Sequence, residues 1–245
     1  MKSLYEMLDK RLSIRKKVEG LNINNEDLEK INLCIEKLKA LTNDIIEYKI
    51  VKAAETNSKI GEYEILVYSK KTNSTDYLIN IGYMFEQLDL YLESINIGVC
   101  WLGIPRPNKK IKNELDYVIM LGITKIDNSY LRKDANDFKR KEVDNLWKGL
   151  FNNDVKEKSL LAPSACNSQC WLVESNEAEI KVYRNKKNKT IIPRSFLNLY
   201  NSIDMGIYLC FLEVCLQYHN YDYNREFINK DIDDERILIA KYNIK

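Results

Sequence analysis

Apolar residues recur with helical spacing in three long segments of the chain. The stripe formed by Leu28, Ile31, Ile35 and Leu38 predicts an amphipathic helix over residues 25–41, with Asn25 as its N-cap. Similar stripes predict helices over 75–94 and 202–218, and shorter helical patterns cover 3–10 and 143–161.

Other segments have the period of a strand. Alternating or continuous short apolar runs predict strands at 45–51, 63–68, 98–104, 118–123, 171–173, 179–183 and 237–240. The segment 125–141 differs, because it is rich in Asp, Asn and Lys and poor in apolar residues, as is typical of a surface connector. Helices and short strands in this mixture indicate an α+β fold.

The order of elements repeats along the chain. A shift of 124 positions aligns Ile79 with Ile203 and Gly82 with Gly206, and a shift of 122 aligns Val51 with Val173. Near-constant offsets through several elements indicate two similar halves. We therefore predict a first half at 1–124, a connector at 125–141 and a second half at 142–245.

Composition excludes several classes of function. The 245 residues carry a formal net charge of +2 with both signs interspersed, which gives no basis for a nucleic-acid partner. No apolar run approaches the ~20 residues of a membrane span, and the N-terminus lacks the apolar core of a signal peptide. We expect a cytoplasmic protein without a membrane partner.

Cysteine and histidine usage narrows the chemistry. The six cysteines show no CxxC spacing and lie mostly in apolar segments, which favours buried free thiols over disulfides. His219 is the single histidine and is predicted to lie exposed at a helix end. A zinc site or a histidine-based hydrolase is therefore disfavoured, whereas a bound cofactor could carry the chemistry.

Two polar segments are candidates for a binding site. If residues 11–15 are extended, Arg11, Ser13 and Arg15 share one face, and two guanidinium groups beside a hydroxyl suit a phosphate monoester. From spacing alone, a solvated basic face is the more common explanation. Residues 162–171, APSACNSQCW, form a polar loop before a predicted strand, and ordinary capping would also explain it.

Four motifs together resemble the FMN-dependent nitroreductase family. Residues 11–15 resemble its N-terminal RxSxR/K motif, and GVCWLGI at 98–104 resembles its GlgtcWlGg segment. The loop 162–171 resembles PSxxNxQPW, and DMGI at 204–207 resembles the DxGxA start of the central helix. Cys170 stands where the family usually has proline, which loosens the backbone restraint.

The resemblance implies an FMN site and assigns residues to it. Arg11, Ser13 and Arg15 would bind the phosphate, ribityl chain and N1/C2=O edge, and the backbone of Gly103 and Ile104 would face N5. Lys139 or Arg140 would reach the phosphate. The loop would contact the ring from the opposite half, and the remaining assigned residues are Pro163, Ser164, Ala165, Asn167, Asp204 and Ile207. No side chain is assigned as a catalytic acid or base.

The motif order is that of a fused pseudo-dimer. In the family, the first two motifs come from one subunit and the last two from the other. Here the first pair lies in the first half and the second pair in the second half, so the four would build one composite site. The implied architecture is a nitroreductase-like fold whose central antiparallel or mixed sheets are flanked by helices, with a mild preference for a monomer.

The expected activity follows from the resemblance. It implies an FMN-dependent oxidoreductase that takes hydride from NAD(P)H and reduces a nitroaromatic, a quinone or a similar small-molecule acceptor. An FMN-binding protein for flavin sequestration or redox sensing is the alternative. A relic of the duplication that binds no flavin is the third possibility.

Overall fold

A computed structural model describes residues 2–134 and 137–245, which contain six α-helices and nine strands. The helices are α1 (Lys2–Tyr5), α2 (Asn25–Ile35), α3 (Asp76–Ser94), α4 (Val143–Leu146), α5 (Asn153–Ser159) and α6 (Arg194–Tyr218). The strands are β1 (Ile46–Lys52), β2 (Tyr63–Ser69), β3 (Ile97–Leu102), β4 (Asp116–Lys125), β5 (Trp147–Gly149), β6 (Trp171–Ser175), β7 (Glu179–Asn185), β8 (Tyr223–Asp231) and β9 (Arg236–Ile244).

The strands form two sheets that share a four-strand order, and the second sheet has β5 as an additional edge strand. One sheet has the order β1-β2-β4-β3, and the other has the order β5-β6-β7-β9-β8. Every pairing is antiparallel except the short β5–β6 pair. The β2–β4 pair shifts register between Val67 and Tyr68, and the β7–β9 pair shifts between Val182 and Tyr183. The predicted α+β class with antiparallel and mixed sheets is confirmed.

Helices α3 and α6 share one hydrophobic core with both sheets. They pack directly on each other, because Gly82 and Gly206 allow their backbones to approach closely. Helix α6 is long and apolar enough to cross a membrane, but 89% of its most apolar window is buried inside the protein. Core packing explains its composition.

Four of the five predicted helices have different bounds, and the helix predicted at 3–10 is α1, which ends at Tyr5. Helix α2 begins after Asn24, whose side chain accepts a hydrogen bond from Asp27 N in a capping box, so Asn25 is not the cap, and the helix ends at Ile35 instead of 41. The predicted helix 143–161 is two short helices separated by β5, because Gly149 has a φ of +95° and Asn152 caps a new helix. Helix α6 begins at Arg194, eight residues before the predicted start.

Two strands, β5 and β8, were not predicted, and β5 lies within the predicted helix 143–161. Strand β8 has the sequence YNREFINKD, in which isolated aromatic residues alternate with charged ones and a bulge follows Phe227. The seven predicted strands overlap β1–β4, β6, β7 and β9, although the strand predicted at 98–104 ends at Leu102 and the one predicted at 237–240 continues to Ile244.

The single histidine and the cysteines follow the sequence interpretation in part. His219 is at the C-terminal cap of α6, as predicted, but its side chain is only 24% exposed, and its Nε2 lies 2.7 Å from Asp154 Oδ2. All six cysteines are free, and only Cys166 is exposed. Residues 135 and 136 of the predicted connector lie outside the described residues.

Candidate functional site

Arg11 is held in the protein interior by acidic residues of α3. Its side chain is 2% exposed, its Nη2 donates to Asp89 Oδ2 at 3.0 Å, and its Nε lies 3.8 Å from Glu86 Oε1. Nη2 also approaches Ser13 Oγ at 3.4 Å. Burial lowers the pKa of Arg11, but the adjacent carboxylates outweigh burial and raise it above the usual value. The guanidinium therefore anchors the N-terminal segment to α3.

Three acidic residues of α3 form a buried cluster around this guanidinium. Glu86, Asp89 and Glu93 are spaced to share one face of the helix, and each is 0% exposed. Trp101 Nε1 donates to Glu86 Oε2 at 3.0 Å and to Asp89 Oδ2 at 3.1 Å, and Leu12 N donates to Glu93 Oε2 at 3.0 Å. Burial raises the pKa values of Glu86 and Glu93 well above the ordinary value. Both carboxyl groups are therefore disposed to hold a proton.

The segment 11–15 lies along the edge strand β3, but it does not present its three polar side chains on one face. Ile14 N donates to Val99 O at 3.0 Å, and the Ile14 side chain packs on Gly98. Arg11 is buried, whereas Arg15 is exposed. The segment is irregular, so the period of two expected of an extended strand does not apply. It does bring the RxSxR and GVCWLG motifs into contact.

The loop 162–171 is fastened to α6 by Asp204. This carboxylate is 2% exposed and accepts hydrogen bonds from Ala165 N at 2.9 Å and from Ser168 Oγ at 3.1 Å. Burial raises the pKa of Asp204 to about 7, although both hydrogen bonds oppose the shift. Ser164 Oγ accepts from Gln169 N at 2.9 Å, which closes the loop on itself.

Asp204 and Ile207 do not start the central helix. Both lie inside α6, which begins at Arg194. Ile207 is 3% exposed and lies at the crossing with α3, where its backbone faces Gly82. Asp204 thus positions the loop, and Ile207 belongs to the core.

The backbone of the loop has an uncommon conformation. Cys166, Asn167 and Gln169 have φ values of 50°, 53° and 47°, in the left-handed region that side chains other than Asn rarely adopt. Gln169 is fixed there because its Oε1 accepts from Lys141 N at 2.9 Å. Strained backbone that is held by its surroundings is typical of functional loops.

Arg140 joins the connector to this loop. Its Nη1 donates to Asn167 Oδ1 at 3.0 Å and its Nη2 to Leu161 O at 2.8 Å. Its guanidinium also lies 5.1 Å from the centre of the Phe138 ring, and Arg132 lies 4.1 Å from the same ring. Two arginines therefore flank one aromatic ring.

Three guanidinium groups converge at this point. Arg132 Nε donates to Arg11 O at 3.1 Å, and burial, followed by the positive charges of Arg11 and Arg132, lowers the pKa of Arg140 to about 10. Arg140 Nε is buried and has no hydrogen-bond partner among the described residues. Such a cluster of cations with an unused donor is suited to an anion.

The GVCWLGI segment meets the second half of the chain at Gly103. A Cβ built on this glycine would lie 2.4 Å from a ring carbon of Tyr200 in α6, so a side chain at this position would require the Tyr200 ring to move. Ile104 is 86% exposed. Arg106 Nη1 donates hydrogen bonds to the carbonyl oxygens of Gly103 and Ile104 at 2.8 and 2.9 Å.

The structure thus brings together most of the predicted set. Arg11 and Asn167 are linked through the connector by Arg132, Phe138 and Arg140, while Pro163, Ser164 and Ala165 lie half-buried in the fastened loop. Two cavities, of about 540 and 400 Å³, lie elsewhere and are not lined by any of the predicted residues.

Several residues of the site were not predicted. The α3 carboxylates could have been found from their spacing at i, i+3 and i+7 beside the predicted apolar stripe. Phe138 could have been found as an isolated aromatic residue among the charges of the connector.

Comparison with known proteins gives the family. The model of the family described as "Putative TM nitroreductase" matches residues 3–215, and the chain belongs to this family. No protein of curated function matches significantly.

Solved structures have a similar fold. A "putative nitroreductase" from Thermotoga maritima MSB8 is 20% identical, with a TM-score of 0.62, over 96% of this chain and 93% of that one. A "putative nitroreductase in complex with FMN" from Desulfovibrio desulfuricans is 13% identical, with a TM-score of 0.44, over 58% and 93%. A "Putative NADH Oxidase" from Clostridium acetobutylicum is 15% identical, with a TM-score of 0.43, over 58% and 96%. At these identities the first similarity shows the fold alone, and the other two are too weak to add to it.

Proposed function

We propose that this protein is an FMN-dependent oxidoreductase that uses NAD(P)H to reduce a nitroaromatic, a quinone or a similar small acceptor. Family membership supports a nitroreductase-type oxidoreductase. The observation that carries the proposal is Arg140, which contacts Asn167 of the loop while its buried Nε has no partner among the described residues. A phosphate would supply both the missing acceptor and the missing negative charge.

The connector provides the better phosphate ligands. Arg11 already pairs with Asp89, so its charge is largely balanced inside the protein. Arg132 and Arg140 contact carbonyl oxygens, an amide oxygen and an aromatic ring instead. We assign the phosphate to these two arginines, with Arg15 as a third cation from the exposed end of the N-terminal segment. Arg11 becomes a positioning residue.

The remaining assigned residues would surround the ring. The loop residues Ser164, Ala165 and Asn167 would contact it from the second half, and Gly103 and Ile104 from the first. Asp204 would keep Ala165 N and the loop in place. Bound FMN would accept hydride from NAD(P)H and pass it to the acceptor. Trp101 Nε1 donates to Glu86 and Asp89, so Glu86, whose carboxyl group is disposed to hold a proton, lies beside the Trp101 indole.

We also propose that the two halves are a fused pseudo-dimer, with the limits 1–124 and 142–245 and the connector 125–141. The shared strand order and the shared Val–Tyr register shift support a duplication. A fused pair has no need of a second chain to complete the composite site, so we expect a monomer. A cytoplasmic location fits the burial of α6.

Flavin binding without efficient turnover is the second candidate function. It is favoured by the ring of Tyr200, which lies directly on Gly103 and leaves little room for an acceptor beside that glycine. Steady-state oxidation of NADH and NADPH with excess quinone or nitroaromatic separates the two functions. Sustained turnover supports the enzyme, and a stable yellow protein without turnover supports sequestration.

The decisive test is FMN binding by the purified protein and by matched variants. The parent should bind FMN, and Arg140→Met should bind it at least about tenfold more weakly, because it removes about 1.4 kcal/mol or more of charge-assisted bonding. Lys139→Met is the control, since the Lys139 side chain forms no hydrogen bond or ion pair with the described residues. A colourless parent that takes up no FMN refutes the proposal, and equal affinities of parent and Arg140→Met refute the assigned phosphate site.

A further inference from the structure

Arg184 of β7 is a buried cation that has only neutral partners. It is 9% exposed; its Nη1 donates to Ser202 Oγ at 2.7 Å and its Nη2 to Asn198 Oδ1 at 2.9 Å. Within the described residues no carboxylate forms an ion pair with it. Arg11 and Arg225 differ from it, because Arg11 forms an ion pair with Asp89 and Arg225 forms one with Glu213.

This arrangement leaves the charge of Arg184 unbalanced. Burial lowers the pKa of Arg184, and the opposing effects of Cys170 and of the Asp231 carboxylate do not restore it. A buried guanidinium keeps its proton under all ordinary conditions, so it cannot escape the penalty by becoming neutral. A bound anion would relieve it.

A polar cavity of about 400 Å³ opens beside this arginine. Both halves of the chain contribute to its wall, which is formed by Asn73, Ser74, Thr75, Arg184, Lys186, Asn198, Asn229, Asp231 and Ile237. Lys186 Nζ lies 2.8 Å from Asp231 Oδ1, so these two charges balance each other and Arg184 leaves the wall with a net positive charge. The amide and hydroxyl groups add hydrogen-bond donors.

Asp76, an acidic residue in the first turn of α3, accepts a hydrogen bond from the wall residue Asn229. Asn229 Nδ2 donates to Thr75 Oγ1 at 3.0 Å and to Asp76 Oδ1 at 2.5 Å. Asp76 is not among the residues of the cavity wall. The first turn of α3, whose backbone N–H groups favour negative charge, also begins at this rim.

We propose that this cavity binds a phosphate-type oxyanion, with Arg184 as its principal ligand and Lys186, Asn198 and the rim of α3 as secondary ligands. The volume accommodates a phosphate group together with a small organic substituent. The anion would connect β7 and the first turns of α6 to the start of α3. It is a site separate from the Arg132–Arg140 cluster of the connector.

The test is a titration of the purified chain with inorganic phosphate and with glycerol 3-phosphate, each at constant ionic strength maintained with sodium chloride. Calorimetry gives the dissociation constants, and thermal unfolding gives the stabilisation. We expect saturable binding of at least one of the two and a rise in Tm. Tighter binding of the ester identifies a phosphorylated small molecule, and equal or tighter binding of inorganic phosphate identifies the free anion.

Three variants assign the binding to this cavity. Asn198→Asp keeps the acceptor for Arg184 Nη2 and adds the missing negative charge, so it should weaken phosphate binding at least about tenfold without lowering Tm in chloride. Lys187→Met, which removes a neighbouring lysine paired with Glu235, should bind like the parent. Arg140→Met should also retain this binding, because its cluster is a different site.

The proposal is overturned if phosphate has no effect beyond that of chloride, or if Asn198→Asp binds phosphate as the parent does. It is also overturned if Arg140→Met abolishes the response, since the phosphate would then occupy the connector cluster. Because Asn198→Asp is expected to fold, a negative result with it cannot be assigned to misfolding.

Discussion

Gly82 of α3 and Gly206 of α6 lie at the same helix crossing and make reciprocal contacts. A Cβ on Gly82 would lie 2.1 Å from Ile203 O, and a Cβ on Gly206 would lie 1.9 Å from Ile79 O. Each glycine thus faces the residue that precedes the other by three positions. Reciprocal contacts of this kind are expected if the proposed duplication relates the halves by a two-fold axis at this crossing.

Replacing either glycine should separate the two central helices. Gly82→Ala and Gly206→Ala each place a methyl group against backbone atoms of the other helix, which cannot move aside as a side chain can. We therefore expect the free energy of unfolding to fall by about 3 kcal/mol or more, at the upper end of overpacking costs. Urea unfolding followed by circular dichroism measures it. Gly20→Ala is the control, because nothing lies within 4 Å of its Cβ and only its φ of +79° opposes alanine; a loss as large as in the other two would contradict the crossing.

Arg11 should matter for stability although it lies outside the regular helices and strands. Arg11→Met leaves Asp89 and its neighbours buried without their counterion, which costs about 3–5 kcal/mol in comparable sites. The exposed pair of Lys187 and Glu235 provides the control, since Lys187→Met should cost at most about 1 kcal/mol.

Chemical unfolding and FMN titration of the same variants distinguish the two roles of Arg11. An anchoring residue lowers the free energy of unfolding in the absence of FMN. If Arg11→Met unfolds like the parent and loses only FMN affinity, then Arg11 is a direct ligand and the assignment to Arg132 and Arg140 is wrong.

Most helices and strands could be predicted from the sequence, because the core is built from regular apolar stripes. Helix α3 and strands β1, β2 and β4 lie within two residues of their predicted bounds, since α3, β2 and β4 bury apolar faces and the partly buried β1 has an apolar pattern typical of a strand. Strand β8 has no such face, because charged residues interrupt it and its bulge breaks the alternation. Its place at a sheet edge depends on pairing with β9, which no local pattern encodes.

The sequence predicted most residues of the candidate site but not the contacts between them. The motifs identified the loop and the N-terminal segment, whereas the acids that neutralise Arg11 lie about 80 residues away in sequence and read as ordinary polar positions of a helix. The distinction between a buried and a solvated arginine is set by such partners. Arg132 and Phe138 lie in a connector whose composition predicts only solvent exposure.

The left-handed backbone of the loop can be tested at Cys166, whose side chain is exposed and whose φ is 50°. Cys166→Gly removes the steric cost of this conformation, so stability should stay within about 1 kcal/mol of the parent. Cys166→Val adds a β-branched residue there and should lose about 1–2 kcal/mol. Thermal unfolding of the pair checks this, and a stable valine variant would mean that the loop adopts another conformation.

Asp204 should make the stability depend on pH with a defined sign. Its folded pKa, about 7, lies above that of an unfolded aspartate, so the protonated form is favoured by folding. The contribution of this group is fully present below the unfolded pKa near 4 and is lost as the pH rises through 7, by up to about 4 kcal/mol. Stability attributable to Asp204 therefore falls between pH 4 and 7.

Asp204→Asn isolates that contribution, because asparagine can still accept from Ala165 N and cannot ionise. The stability of the variant relative to the parent should increase as the pH rises from 4 to 7, as measured by urea unfolding across that range. Asp233→Asn is the control of opposite sign: hydrogen bonding from Glu235 N lowers the pKa of Asp233, so its contribution is present above the unfolded pKa and is lost as the pH falls. A constant difference between Asp204→Asn and the parent would show that Asp204 is ionised throughout, because the two donors of the loop then outweigh its burial.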